Sequence, residues 1–374
     1  MSVSRRRGRG VAALLTAAVL SGLLAACAGP GGPATPGTTD PSGTPEKPDK
    51  IIVRSWGPPF SSGIEDSAVK SFTAETGIAV EFDLTDYGEV QAKVRQAVQA
   101  GQRPPVDVVY TIGIFAERAR LEKLTHPLDP KIVTNFADLT AAGKPQNGGS
   151  DYVNVYSYTF PVIYDQAARE LPEDFSWLDI ANPEFERSFV MASTYEVLLF
   201  PVAKALGLDV EKDDLEPVWE VLESFKPAAC GAGMDVEFIQ LLQSKECDSG
   251  AFIMGNAFAL KDAGVDVAWM VPAEGVTYAS DSMYVPTGLP DNVAYWAQVF
   301  INHVIDADNL TAWTNSTGVI PTNSKSTPRE DMIGDPAFPF TDAEIAEYGI
   351  TIPIDTAARL TDEWQERYEA SIRR

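Results

Sequence analysis

Ile51-Ile52-Val53-Arg54-Ser55-Trp56, Ile78-Ala79-Val80-Glu81-Phe82 and Val106-Asp107-Val108-Val109-Tyr110 are three apolar, β-branched runs, and what separates them decides the fold class. The first breaks at Gly57-Pro58-Pro59. Ile64 to Thr76 then has a helical pattern that stops at Gly77, and Tyr87 to Ala100 places Val90, Val94 and Val98 on one helical face before Gly101. Strands alternating with helices of this length predict βαβ units and a mostly parallel sheet covered on both faces, hence an α/β fold.

Further along, Asp151 to Tyr164 carries Tyr152, Tyr156, Tyr158, Phe160 and Tyr164, and alternation from Tyr156 through Phe160 puts three rings on one face of an extended segment. Helical patterns recur at Tyr195 to Leu206, Leu215 to Phe225, Val236 to Ser244, Asn292 to Val304, Thr341 to Tyr348 and Thr356 to Arg374. Gly250 to Met254 and Val265 to Met270 read as strands. About 325 residues from Ile51 onward exceed the usual size of one core, so two lobes are expected.

Ahead of this body, Arg5, Arg6, Arg7 and Arg9 precede an uncharged run from Val11 to Ala26, the parts of a secretory signal. The apolar run is shorter than a spanning helix needs. Leu24-Ala25-Ala26-Cys27 resembles the lipobox of bacterial lipoproteins, which implies cleavage after residue 26, acylation of the Cys27 thiol and a chain held on the extracytoplasmic face of the cell membrane. The alternative is ordinary signal cleavage beside an incidental cysteine. Ala28 to Lys50 holds eleven Gly or Pro residues and too little apolar surface to fold. Residues 27–50 are therefore expected to be a disordered leash, with a mean reach of roughly 25 to 30 Å.

The chain has 29 basic and 53 acidic residues, a formal charge of −24, and without the four leading arginines the balance is 25 against 53, or −28. That charge opposes nucleic acid and anionic lipid surfaces as partners and suits a cationic ligand, although a solvated acidic surface has the same signature. Cys230 and Cys247 are the cysteines left after Cys27, and in an exported domain a disulfide between them is expected, the alternative being two buried thiols. Catalytic signals are missing: the histidines are His126 and His303, and there is no Gly-x-Ser-x-Gly, phosphate-binding glycine loop, Cys-x-x-Cys or His-Glu-x-x-His. Asp306 and Asp308 begin a calcium-loop pattern that lacks its glycine and its final Glu. Neither enzyme activity, nor a cofactor, nor a metal is expected.

Several stretches in order, among them Val53-Arg54-Ser55-Trp56, Thr76-Gly77-Ile78-Ala79-Val80, Val106-Asp107-Val108-Val109, His126-Pro127-Leu128-Asp129, Asp266-Val267-Ala268-Trp269, Asp281-Ser282-Met283-Tyr284-Val285-Pro286 and Gly318-Val319-Ile320-Pro321-Thr322-Asn323, resemble the solute-binding lipoproteins of ABC importers, in the branch of the spermidine/putrescine-binding proteins. The resemblance spans nearly all of residues 51–374. It implies a two-lobed, periplasmic-binding-protein-like (type II) α/β fold with a hinge and an interlobe ligand cleft, one lobe from 51–157 and 283–318, the other from 158–282 and 319–374. It implies a monomer whose partners are a small polar solute, with a polyamine or another organic amine among the candidates, and the permease subunits of the membrane.

By the same resemblance, Trp56 matches a first-strand aromatic of the cleft, Asp281 the acid that pairs with an amine, and Thr111 a small hydroxyl at a strand end; Tyr158, Glu196 and Asn256 fall near crossing or rim positions. For each, packing or solvent exposure is the competing role. The departures are Gly57-Pro58-Pro59 where polyamine binders carry an acid and an aromatic, Ala192-Ser193-Thr194-Tyr195-Glu196 at an otherwise acid-rich helix start, Met254-Gly255 in place of a mid-chain Trp, and Ala279 in place of an aromatic. Half of the amine box is thus absent, which weakens polyamine as the particular ligand. Competing functions are a lipid-anchored extracellular hydrolase and a sensor or adhesion lipoprotein.

Overall fold

The computed structural model describes residues 43–373; the expected secretory signal, Cys27 and the part of the expected leash up to residue 42 lie outside the described residues. Among the described residues thirteen strands run, in chain order, β1 (Lys50–Arg54), β2 (Ala79–Asp83), β3 (Val108–Ile112), β4 (Thr125–His126), β5 (Val153–Thr159), β6 (Val162–Asp165), β7 (Phe189–Ala192), β8 (Ala229–Gly233), β9 (Ser249–Ala251), β10 (Val267–Met270), β11 (Val276–Pro286), β12 (Ile320–Pro321) and β13 (Gly349–Thr351). They form two sheets. The first has the order β12-β5-β11-β3-β1-β2, with β4 and β13 also pairing with β11, and the second has the order β10-β6-β9-β7-β8.

The opening βαβ reading holds: β1 pairs in parallel with β2 and with β3. The helix between β1 and β2 runs from Phe60 to Thr76, widened by a π turn at Glu65–Val69, and ends on Gly77 at φ 77°. That left-handed turn costs glycine little, which is why the helix stops there. The expected mostly parallel sheet is instead mixed. β5 lies antiparallel between β11 and β12, and β11 is antiparallel to β3. It leaves the first sheet between Thr159 and Val162 and comes back between Met270 and Val276. The boundary expected at 283 therefore falls inside β11, one unbroken strand.

Two other expectations change. Met254 begins the helix Met254–Asp262 instead of closing a strand, and the stretch expected to be leash as far as Lys50 is held to the body from Pro45 onward. Trp296 Nε1 donates to the Pro45 carbonyl at 3.0 Å, Asn292 Nδ2 to Glu46 at 3.1 Å, and Lys47 Nζ to the Thr76 carbonyl at 2.7 Å. Side-chain donors of the body thus satisfy two backbone carbonyls of this proline-rich segment.

Each sheet has its own core. Ile51, Val53, Phe72, Val108, Met283 and Phe300 pack in the first, and Val162, Trp177, Phe189, Val190, Phe238 and Leu242 in the second. Cys230 and Cys247 are joined as a disulfide, tying β8 to the segment that enters β9. The C-terminal helix, Ile354–Ile372, packs on both Gly113–Leu121 and Glu216–Ser224, and Arg118 grips Asp362 with two hydrogen bonds of 2.7 and 2.8 Å.

Candidate ligand-binding site

Asp281 sits in the middle of β11, with β3 on one side and β5 on the other. A register shift between Asp281 and Ser282 lets β5 reverse its facing at Val155, so that Tyr156 and Tyr158 both turn toward the acid while Asn154 meets Ser282 on the other face. Asp281 Oδ2 accepts from Tyr156 Oη and from Trp56 Nε1, each at 2.8 Å, and Oδ1 accepts from Tyr158 Oη at 3.0 Å. Trp56, Tyr158 and Asp281, far apart in sequence, thus share one box. Burial raises both tyrosine hydroxyls well above their ordinary pKa of 10, so they stay protonated as donors.

Aromatic rings line the box. Phe60 stacks on Tyr156 at 5.7 Å, Trp313 meets Tyr156 and Tyr110 edge to face, and Tyr110 and Tyr156 share a hydroxyl hydrogen bond. Gly63 makes room for this, since a Cβ there would lie 2.7 Å from the Trp313 ring. Trp56 is half-buried and packs edge to face with Tyr87 and Tyr110. Phe160, the third ring of the alternating set, packs on Tyr158 at 5.5 Å.

Two carboxylates face this region. Asp281 is 4 % exposed, and burial pushes its pKa up to about 6 despite the donors and Arg54 holding it down. Glu196, 6 % exposed and on the short turn after β7, is pushed up to about 7 by burial first and by the charge of Asp281 second. Its side chain accepts one long hydrogen bond, from Thr194 Oγ1 at 3.5 Å. Glu196 also lines a cavity of about 580 Å³ whose walls include Gly113, Ile114, Ala279 and Ser280, the last two adjoining Asp281 along β11.

The remaining sequence candidates are placed elsewhere. Thr111 pairs with Ser282 across β3 and β11, on the face opposite Tyr110 and the acid box, and its buried Oγ1 has no hydrogen-bond partner. Asn256 opens a helix of the second sheet's side and donates to Asp235 at 2.9 Å. Sequence reasoning missed Arg54, Tyr87 and Tyr110. Arg54 is 2 % exposed; its Nε and Nη1 donate to the carbonyls of Thr85 at 3.0 Å and Tyr110 at 2.7 Å, and its guanidinium lies 4.0 Å from the centre of the Trp56 ring. The sequence shows only a charged residue after the apolar run Ile51-Ile52-Val53, and the carbonyls that bury it lie far off along the chain.

Residues 67–340, which include the whole acid box except Trp56 and Phe60, match the family described as bacterial extracellular solute-binding protein. The chain belongs to that family. The spermidine/putrescine-binding periplasmic protein of Salmonella typhimurium is 23 % identical over 244 residues, 64 % of this chain and 68 % of that protein. Among solved structures, a GABA receptor superimposes with a TM-score of 0.70 at 23 % identity, covering 87 % of this chain and 98 % of the other. The spermidine/putrescine ABC transporter substrate-binding protein of Streptococcus pneumoniae does so with a TM-score of 0.70 at 18 % identity, over 87 % and 100 %. The two-lobed α/β fold of these solute-binding proteins is the fold of this chain.

Proposed function

We propose that this solute-binding protein captures a small organic solute through a primary ammonium group, closes its two lobes on it and delivers it to the permease of an ABC importer. The observation that carries the reading is the pair of buried acids, Asp281 and Glu196, set among Trp56, Tyr156 and Tyr158. An ammonium ion gains from aromatic faces and from carboxylates shielded from water, whereas an anionic solute would meet repulsion from both acids. Of these residues Glu196 lines a cavity of about 580 Å³, within the range of small-ligand pockets. Relatives whose titles name spermidine, putrescine or GABA bind molecules that all present a primary amine on a short alkyl chain.

Delivery from the membrane surface completes the proposal, with acylated Cys27 as tether and residues 28–42 as leash. A tether raises the effective concentration of the receptor at its permease without any new contact. Titration calorimetry of the purified full-length chain with putrescine, spermidine and γ-aminobutyrate tests capture: heat of binding that disappears in Asp281→Ala is expected, and no heat with any of them at millimolar concentration overturns the reading.

A further inference from the structure

The face of Trp56 that an ammonium ligand would stack on is not the only one in use. Arg54, two residues earlier at the end of β1, covers the ring with its guanidinium at 4.0 Å and reaches the Tyr87 ring at 5.7 Å. Its hydrogen bonds to the carbonyls of Thr85 and Tyr110 hold it in place, so it is a fixed buried cation. The charged groups acting on it are Asp281, the exposed Asp86, which caps the next helix, and Asp83, its register partner on β2.

We propose that Arg54 is a built-in counter-cation that restricts the site to solutes carrying one ammonium group and discriminates against diamines and longer polyamines. This rests on the amine-capture reading above. Three buried charges converge on the box: the carboxylates of Asp281 and Glu196 and the guanidinium of Arg54. One negative charge is left over when both acids are ionised, and one ammonium group neutralises it. A second ammonium adds uncompensated positive charge in a water-poor site. A ligand cation stacked on the Trp56 face away from Arg54 would also lie roughly 8 Å from the guanidinium, with the indole between, so the two repel and compete for the same ring electrons. Arg54 does not touch the ligand in this arrangement; it sets specificity through the ring it covers.

The test uses three four-carbon probes that differ in charge: putrescine with two ammonium groups, n-butylamine with one, and γ-aminobutyrate with one ammonium and one carboxylate. Titration of the full-length chain should show n-butylamine and γ-aminobutyrate each binding about tenfold or more tightly than putrescine. Arg54→Met should narrow that ratio by strengthening putrescine, while Arg54→Lys, which keeps the charge, should preserve it. Putrescine binding tightest to the unaltered chain, or an unchanged ratio in an Arg54→Met protein whose circular dichroism shows it folded, overturns the inference and leaves amine capture standing. Silence with all three probes removes the capture reading and this inference together. Where Arg54→Met does not fold, the ratio in the unaltered chain still decides.

Discussion

Asp281 and Glu196 are both buried acids on the same ligand region, but Asp281 is saturated and Glu196 is not. Asp281 receives three hydrogen bonds of 3.0 Å or less from Trp56, Tyr156 and Tyr158, whereas Glu196 receives one of 3.5 Å from Thr194. A carboxylate offers about four acceptor positions. Asp281 therefore has most of its capacity committed to holding β1, β5 and β11 together around the box, while Glu196 keeps its capacity for an incoming ammonium. On the amine-capture proposal, the contrast gives organisation of the box to one acid and capture to the other.

The largest effect expected from breaking this contrast is that of Asp281→Ala. It leaves one indole N–H and two tyrosine hydroxyls without their acceptor, and a cost of about 3 kcal/mol in unfolding free energy is expected, together with loss of ligand binding. Denaturant unfolding measures it; a change within experimental error would mean that the box does not depend on this acid. Glu196→Gln should act in the opposite way, lowering amine affinity about tenfold while leaving stability equal or slightly raised, since a buried charge is replaced by a neutral group of the same shape. Calorimetry paired with thermal melting separates the two outcomes, and a loss of stability as large as that of Asp281→Ala would erase the distinction.

A pH effect of intermediate size follows from the same pair. Both acids have folded-state pKa values above their ordinary ones, about 6 for Asp281 and about 7 for Glu196, so the folded protein keeps protons that the unfolded chain has already released. Ligand-free stability should be greatest at the acid end of this window and fall as pH rises through 6 and 7. Melting curves between pH 5 and 8 check this, and Glu196→Gln should flatten the upper part of the profile. The smallest expected effect is that of Tyr158→Phe, which removes one of the three donors to Asp281 and should cost about 1 kcal/mol. A cost well beyond that would show Tyr158 holding more than one contact.

Much of the fold was legible because it follows from local patterns. The runs at Ile51, Ile78 and Val106, with their intervening helices and the stop at Gly77, predict the βαβ start that the structure has. What escaped was the direction of the crossing strands: β5 and β11 show the same apolar and aromatic residues whichever way they pair, and antiparallel pairing is set by where the chain re-enters the sheet. Met254–Asp262 escaped for another reason. The run from Gly250 to Met254 is too short for periodicity to separate strand from helix.

The site was legible in its parts. Tyr156 and Tyr158 were placed on one face by alternation, and Trp56 and Asp281 by resemblance; the structure joins them around one carboxylate. Thr111 lies on the far face of its strand, because a one-residue difference in strand position exchanges the two faces. Arg54 could not be read as a buried cation, since nothing near it in sequence supplies the Thr85 and Tyr110 carbonyls that hold it.

By itself the sequence determined the α/β class, the family and the aromatic and acidic residues available to a site, because periodicity, turn residues and motif order are local properties of the chain. Only the tertiary structure decided that Asp281 is saturated while Glu196 is open, and that Arg54 covers Trp56. Those facts depend on distances between residues more than a hundred positions apart or on the side chosen by a stacked ring, and packing alone fixes both.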